Sequence, residues 1–298
     1  FVIWFPEKYA HLSPWGTGVV TDELVSFEDL APTVLSLAGI EAPSHMTGRA
    51  VLGPYRKEPP PIVFASRNRL DDTPDLCRSA MDGRFVYTRN YFPHLPVVKY
   101  QKYGDVGDIQ RAIRRDYAAG RLNRVQAELV EPTRPVEYLY DLRADPWEIR
   151  NLATDPAFEQ DLLRLRKATA KHMIDCGDVM FLPEREMVER AADCSPYEKR
   201  FDPGYNPLPA ILESADLIGG GSDALPKQIA FLGHAHGVVR YWASVGIFAC
   251  RDSLAEHLQD LTPHLADSAA FVQVELAAAL YAAASLPEAA EVLARHIR

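Results

Sequence analysis

The sequence predicts a protein of mixed α/β and α+β class that continues into an all-α tail, with parts at residues 1–60, 61–195 and 208–298. Three observations support this division. A strand-like segment and an amphipathic helix come first, as at the end of an α/β domain. Several short strand-like runs separated by turn residues then precede one long helix, which indicates a small antiparallel sheet with a packed helix. Beyond a proline-rich linker, the chain is rich in Ala, Leu and Val and has no strand signals.

Composition and charge limit the classes of partner. The 298 residues are 47% hydrophobic, enough for a sizeable core, and the formal net charge is −9. This acidic balance argues against a nucleic-acid or anionic-membrane partner, so any anionic ligand would have to be held by local Arg and Lys. No apolar run reaches the roughly 18 residues that a membrane-spanning helix needs. The four cysteines lack CxxC spacing, so we predict free thiols, although an even count also permits disulfides.

The first part combines a predicted strand with a predicted helix. Phe1–Phe5 is an apolar run typical of a buried strand in a parallel sheet, and a chain that begins inside a strand is expected to continue a longer one. A targeting signal would then lie further upstream. Asp29 is the predicted N-cap of the helix and Gly39 its C-terminal cap. The spacing of three and four residues predicts a buried face made of Phe27, Leu30, Val34 and Leu37.

The second part carries the strand signals. Strand-like runs cover residues 62–66, 77–81, 84–91 and 137–142. Asp82–Gly83, between two of these runs, is a strong hairpin signal. Asp155 and Pro156 begin a long helix that Gly177 ends. Residues 107–131 form a polar helical segment with a sparse apolar stripe, which indicates an excursion on the surface.

The tail contains a weak internal repeat. Val239, Ala243 and Ile247 align with Val272, Leu276 and Leu280 at an offset of 33 residues. Helical hairpins of this kind stack because one hairpin cannot bury its apolar face alone, and the pattern resembles HEAT-type repeats. His234 and His236 have the residue type of metal ligands, but the sequence offers no third ligand nearby, so we predict no metal there.

Two segments resemble signatures of the sulfatase family. Residues 29–53, which read DLAPTVLSLAGI and then MTGRAVLG, resemble the helix and loop that close the large α/β domain of that family. Residues 138–156, YLYDLRADPWEIRNLATDP, resemble its C-terminal signature. The resemblance covers residues 1–195 and leans toward the branch of heparan N-sulfatase and its bacterial relatives. It implies an α/β catalytic domain that ends near residue 60 and is followed by an α+β subdomain.

The resemblance also implies where the chemistry lies. Sulfatases use a formylglycine nucleophile and a calcium ion, with Lys, His and Arg groups that stabilise charge. The matching residues lie upstream of residue 1, so we expect no catalytic residue, metal ligand or cofactor here, and calcium and formylglycine only in the missing N-terminal part. Cys194–Ser195–Pro196–Tyr197 looks like the C-x-P-x-R nucleophile motif of the family. However, its fifth residue is Glu198, and it follows the C-terminal signature instead of preceding it.

The most polar stretch of the first half, residues 66–75, carries the candidate substrate contacts Arg67, Arg69, Asp71 and Asp72. In isolation it is a solvated loop between two strands, whereas the resemblance implies a loop that overhangs the pocket and selects the sugar. Guanidinium groups bind sulfate oxygens bidentately, and carboxylates accept hydrogen bonds from sugar hydroxyls. His94 is a further candidate contact, and its alternative is a histidine packed beside aromatic rings.

These observations predict the C-terminal part of a sulfatase, a sulfuric ester or sulfamate hydrolase acting on sulfated sugars. It would carry the substrate-selecting subdomain and be inactive alone. The alternative is a non-catalytic binding or scaffold protein that uses the helical tail for a protein partner. The family resemblance implies a periplasmic or secreted protein, although the sequence leaves the localisation open.

Overall fold

The computed structural model describes residues 1–296, apart from the side chain of Leu70. Residues 297 and 298, the end of the predicted tail, lie outside the described residues. Four strands form one antiparallel sheet in the order β1-β2-β3-β4. They are β1 (Val63–Leu70), β2 (Thr73–Met81), β3 (Phe85–Asn90) and β4 (Glu137–Asp141). The predicted small antiparallel sheet is therefore confirmed.

Helices make up most of the remaining regular structure. In chain order they are α1 (Leu30–Leu37), α2 (Asp108–Ala118), α3 (Arg124–Ala127), α4 (Glu159–Cys176), α5 (Glu184–Glu189), α6 (Pro196–Lys199), α7 (Leu208–Ala215), α8 (Gly221–Phe231), α9 (Gly237–Ala249), α10 (Leu258–Leu261), α11 (Ala270–Ala284) and α12 (Pro287–His296). The predicted long helix is α4, which begins one 3₁₀ turn after the capping residue Asp155 and is followed by Gly177 at φ +65°. Within residues 1–296, no helix has the length and apolarity needed to cross a membrane.

The chain divides into two compact units, each built from several segments. The first unit contains residues 1–66, 78–88 and 138–169, and the second contains residues 67–77, 89–137 and 170 onward. The core of the first unit is the cluster of Ala80, Phe85, Tyr87, Leu139, Leu152, Leu162 and Leu165. The predicted domain limits at residues 60, 195 and 208 stay a prediction.

The predicted hairpin at Asp82–Gly83 joins β2 to β3. The Asp82 carboxylate accepts hydrogen bonds from the backbone N–H groups of Arg84 and Phe85 at 2.9 and 2.7 Å. Gly83 takes φ +89°, which only glycine adopts without strain. Because side chains alternate along a strand, Phe85 and Tyr87 both point into the core, as the sequence predicts.

The predicted buried face of α1 is wrong. Phe27, Leu30 and Val34 are 82%, 50% and 57% exposed, and the opposite, polar face is buried. The reason is that an irregular segment, residues 49–55, lies along α1 and its backbone N–H groups need acceptors. Three side chains of the helix face supply them: Arg49 donates to Asp29 (2.8 Å), Val51 to Thr33 (2.9 Å) and Tyr55 to Ser36 (3.0 Å).

The predicted strand at Phe1–Phe5 is also not formed. These residues belong to no strand, and Phe1, Val2 and Trp4 are 67%, 102% and 80% exposed. A strand requires a hydrogen-bonded neighbour, and the sheet of the described residues pairs only its own four strands. Within residues 1–60, α1 is the only α-helix and no strand is formed.

The tail is helical, and α9 lies at its centre, packed against α7, α8 and α11. The six repeat positions are fully buried on α9 and α11: Val239, Ala243, Ile247, Val272, Leu276 and Leu280. The two helices contact each other, so the aligned residues mark the helix faces that pack. The assignment of HEAT-type repeats stays a prediction.

Candidate functional site

The predicted polar loop is the tip of a β-hairpin. Arg67 and Arg69 lie in β1, Asp75 lies in β2, and Asp71 and Asp72 form the two-residue turn. Asp71 has φ +54°, a left-handed conformation that aspartate tolerates better than most residues. Because ladder hydrogen bonds hold both sides of the turn, these side chains are placed more firmly than a free loop would place them.

A buried ionic cluster anchors this hairpin. The Asp75 side chain is fully buried and accepts hydrogen bonds from Arg134 at 3.0 Å and from Lys99 Nζ at 3.1 Å. Arg67 Nε lies 3.3 Å from the same carboxylate. The Arg134 and Lys99 side chains are 3% and 9% exposed, whereas that of Arg67 is 39% exposed and reaches the surface. Three cations thus surround one carboxylate.

The pKa shifts follow from this imbalance of charge. Burial alone would raise the pKa of Asp75, but the hydrogen bond and charge of Arg134, with the charges of Lys99 and Arg67, hold it below its usual value. Burial lowers the pKa of Lys99, and the charge of Arg134 adds to this effect against the attraction of Asp75. The positive charges of the cluster therefore outnumber its one carboxylate. An anion bound at Arg67 would balance this excess of positive charge.

A cavity of about 200 Å³ adjoins the hairpin. Its polar lining comes from the hairpin: Asn68, Arg69, Asp72 and Asp75. Its apolar lining includes Leu76, Phe92, Phe181, Leu182, Met187 and Trp242. Arg69 Nη1 and Glu184 Oε2, which also line the cavity, form an ion pair of 2.6 Å. The Oδ1 atom of Asn68 is buried and has no hydrogen-bond partner among the described residues.

The structure gathers Arg67, Arg69 and Asp72 on this hairpin, whereas Asp71 serves the turn itself. Its carboxylate accepts a hydrogen bond from Gln101 at 3.1 Å, and its carbonyl accepts one from Arg69 at 2.9 Å. The sequence analysis missed Lys99 and Arg134, which lie 24 and 59 residues from Asp75. Neither residue belongs to a motif, so no local sequence signal distinguishes it.

His94 lies in a packed environment instead. Its side chain is 2% exposed, and its ring lies 4.7 Å from that of Phe248 and 5.8 Å from that of Phe92. Burial, followed by the charges of Arg251, Arg134 and Lys99, lowers the pKa of His94 to about 3. This environment fits the packed alternative, and the role of His94 as a substrate contact stays a prediction.

Glu275 faces His94, and the pair predicts a specific dependence on pH. The Nε2–Oε1 distance is 3.9 Å, and burial raises the pKa of Glu275 to about 7. The folded state therefore retains a proton that the unfolded state loses, so this contribution to stability is complete below the ordinary pKa near 4.5 and is lost as the pH rises through 7. His94 acts in the opposite sense, since its lowered pKa costs stability as the pH falls from 6.5 toward 3.

We therefore expect the free energy of unfolding of Glu275→Gln, relative to that of the wild type, to depend on pH. This stability difference should be about 2 kcal/mol more favourable to the variant at pH 8 than at pH 5.5. Urea unfolding at the two pH values measures this difference, in which the contributions of all other groups, His94 included, largely cancel. Glu291→Gln, at an exposed position of α12, is the matched control and should show no such dependence. A pH-independent effect of Glu275→Gln would contradict the assignment.

The described residues contain no group of three or more His, Cys, Asp or Glu side chains that could hold a metal ion. The side chains of the described residues therefore do not fit a calcium site. His236 instead caps α9 by accepting the Val238 N–H at 3.3 Å. Ser195 and Glu198 form a capping box at the start of α6, which explains these two residues of the motif-like segment without any catalytic role. None of the four cysteines, all within the described range, takes part in a disulfide.

Comparisons with known proteins point to one family. The chain is 34% identical to an ulvan-active sulfatase of Formosa agariphila over 172 residues, which cover 56% of this chain and 28% of the relative. It is 32% identical to human N-sulphoglucosamine sulphohydrolase over 180 residues, which cover 56% of this chain and 35% of the relative. The chain thus spans about a third of the length of the curated relatives it matches. No family model matches it.

Solved structures of sulfatases are similar only in part. A 2-O GAG sulfatase superposes with a TM-score of 0.32 at 22% identity, covering 50% of this chain and 25% of that one. A complex with D-glucosamine-2-N,6-O-disulfate gives a TM-score of 0.30 at 18% identity, with coverage of 49% and 23%. The sequence relationship is the stronger finding: over roughly half of its length, this chain is related to the sulfatases.

Proposed function

We propose that this chain forms the C-terminal, substrate-selecting part of a sulfatase that hydrolyses sulfate esters or sulfamates of sugars. The relationship to sulfatases over half the chain supports the reaction class. The observation that carries the proposal is the cluster in which Arg67, Lys99 and Arg134 share the single carboxylate of Asp75. A sulfate group is the kind of anion that would balance this excess of positive charge.

The residues of the hairpin would divide the recognition of the sugar. Arg67 reaches the surface and would donate hydrogen bonds to sulfate oxygens, while the buried Asp75 carboxylate holds it in place from below. Arg69 would exchange its exposed ion pair with Glu184 for a second anionic oxygen, because exposed pairs contribute little stability. Asp72, which is exposed, would accept hydrogen bonds from sugar hydroxyls. The catalytic groups would come from the remainder of the longer protein.

The exposed apolar face of α1 supports the proposal that a further domain supplies the catalytic groups. Phe27, Leu30 and Val34 expose more apolar surface than a single helix normally leaves in water. In the proposed protein, the remainder of the α/β catalytic domain covers this face. That domain would contribute the nucleophile and the calcium site, and the hairpin would present the sugar to them.

The test is turnover of a generic aryl sulfate in the presence of calcium. We expect turnover by the protein extended upstream through an α/β domain and none by residues 1–298 alone. In the extended protein, Arg67→Gln should raise KM for a sulfated monosaccharide roughly tenfold, because a hydrogen bond to a charged group is lost.

The aryl sulfate, which has no sugar to select, is the matched substrate control and should be affected much less. Turnover by residues 1–298 alone would show that the catalytic groups lie within this chain. Failure of the extended protein would contradict the sulfatase assignment.

A further inference from the structure

One surface segment is basic, although the chain as a whole is acidic. Residues 100–124, here called the arm, contain six Lys and Arg residues against three Asp residues, whereas the whole chain has 32 basic and 41 acidic residues. The basic residues of the arm are Lys102, Arg111, Arg114, Arg115, Arg121 and Arg124. The arm belongs to the second compact unit. A basic segment in an acidic protein concentrates the attraction for anions at one place.

Much of the arm, although not Gln101, is exposed to solvent. Its helix, α2, contains no buried residue. Tyr100, Tyr103 and Ile109 are 79%, 81% and 77% exposed, although side chains of this size normally contribute to a core. These large side chains of the arm therefore remain mostly in contact with solvent.

The charges on α2 lie on one side of the helix. Arg111, Arg114 and Arg115 are three and four residues apart and share a face, while Ile109, Ile113 and Tyr117 occupy the other side. The Arg111 and Arg115 side chains are 58% and 70% exposed. Their ion pairs with Asp108 and Asp116 are exposed too, so an incoming anion can replace them at little cost.

Aromatic groups lie beside the charges. The Arg114 guanidinium is 4.3 Å from the centre of the Tyr100 ring, which holds the ring next to the basic face. The guanidinium covers one face of the Tyr100 ring, so the rest of this exposed ring can contact a sugar ring, while the exposed Arg111 and Arg115 donate to sulfate oxygens. A phospholipid surface would use only the charges and the aliphatic groups, and would bring the acidic remainder of the chain close to an anionic plane.

We propose that the arm is a docking surface for a sulfated polysaccharide, outside the pocket that would select the reacting sugar. This rests on the proposed function only for the choice of a sulfated sugar as the ligand class. The location of the docking surface on the arm is inferred from three observations: the charge of the arm, its exposed tyrosines and the shared face of its arginines. Docking would hold the polymer near the enzyme between turnovers.

The test measures heparin binding and not turnover. A loss of binding therefore bears on the arm, whereas a loss of turnover bears on the proposed function. The probe is heparin, with N- and O-desulfated heparin for comparison, measured by calorimetry and by the salt concentration that elutes the chain from immobilised heparin. We expect the triple variant Arg111→Gln, Arg115→Gln, Arg121→Gln to bind heparin at least about tenfold more weakly and with a smaller salt dependence. Tyr103→Ala should weaken binding without changing the salt dependence.

The matched control removes three exposed arginines elsewhere: Arg150→Gln, Arg185→Gln and Arg295→Gln. The control has the same net charge as the arm variant and should bind like the wild type. If both triple variants lost the same heparin affinity, the loss would follow from net charge alone, and the proposal would be overturned. Equal binding of the arm to oligo-dT of similar charge, or to vesicles of phosphatidylglycerol and phosphatidylcholine, would also overturn it, because the arm would then not select a sulfated sugar.

Discussion

Replacing Asp75 by alanine is expected to lower the free energy of unfolding by about 3 to 5 kcal/mol, because it leaves buried cations without their carboxylate. Arg134 and Lys99 are both at least nine-tenths buried and share Asp75 as their anionic partner. Asp75 also accepts the Leu76 N–H at 3.0 Å, so the backbone of β2 loses an acceptor as well. The loss of both interactions should loosen the hairpin that carries Arg67 and Arg69.

Urea unfolding followed by circular dichroism measures this loss, and Asp72→Ala is the matched control. Asp72 lies on the same hairpin but is exposed, so its removal should change stability by less than about 0.5 kcal/mol. Sodium sulfate, compared with sodium chloride at equal ionic strength, should stabilise Asp75→Ala more than the wild type, because the anion can replace the missing charge. Equal effects of Asp75→Ala and Asp72→Ala would show that the cluster does not anchor the hairpin.

Local sequence signals predicted the sheet well because its elements depend on neighbouring residues. Asp82–Gly83 determines the turn between β2 and β3 through its own backbone and side chain. Asp155 and Gly177 similarly mark the ends of the long helical segment. The same type of signal failed for α1, since periodicity cannot tell which face is buried when backbone donors of another segment need acceptors. Hydroxyl and carboxylate groups then take the place of the apolar stripe.

The candidate site shows a comparable limit. The polar composition of residues 66–75 was sufficient to single out Arg67 and Arg69, but it suggested a loop where the structure has a hairpin. The residues that give the site its charge, Lys99 and Arg134, are distant in sequence and meet only through the fold. His94 is unremarkable in sequence, and only its burial distinguishes a packed ring from a ligand.

Replacing Gly48 by alanine is expected to destabilise the first compact unit by about 3 kcal/mol, at the upper end of the cost of overpacking. A Cβ atom at Gly48 would lie 2.0 Å from the backbone oxygen of Glu28 and 2.4 Å from its carbonyl carbon. Backbone cannot move aside as a flexible side chain can. The neighbouring Arg49 N–H would be pulled from Asp29, and the rest of the segment along α1 would follow.

Thermal unfolding of Gly48→Ala should be compared with that of Gly39→Ala, which lies in the same unit. Gly39 has φ +75° but no atom within 4 Å of its Cβ position, so its substitution carries the strain of a left-handed conformation alone, about 1 kcal/mol. The difference between the two variants thus isolates the contact of Gly48 with the backbone of Glu28, in the turn that precedes α1. If Gly48→Ala cost no more than Gly39→Ala, the close approach of Gly48 to Glu28 would not limit stability. A larger loss would show that the TGR sequence of residues 47–49 requires glycine because the two backbones meet there, and not because the chain turns.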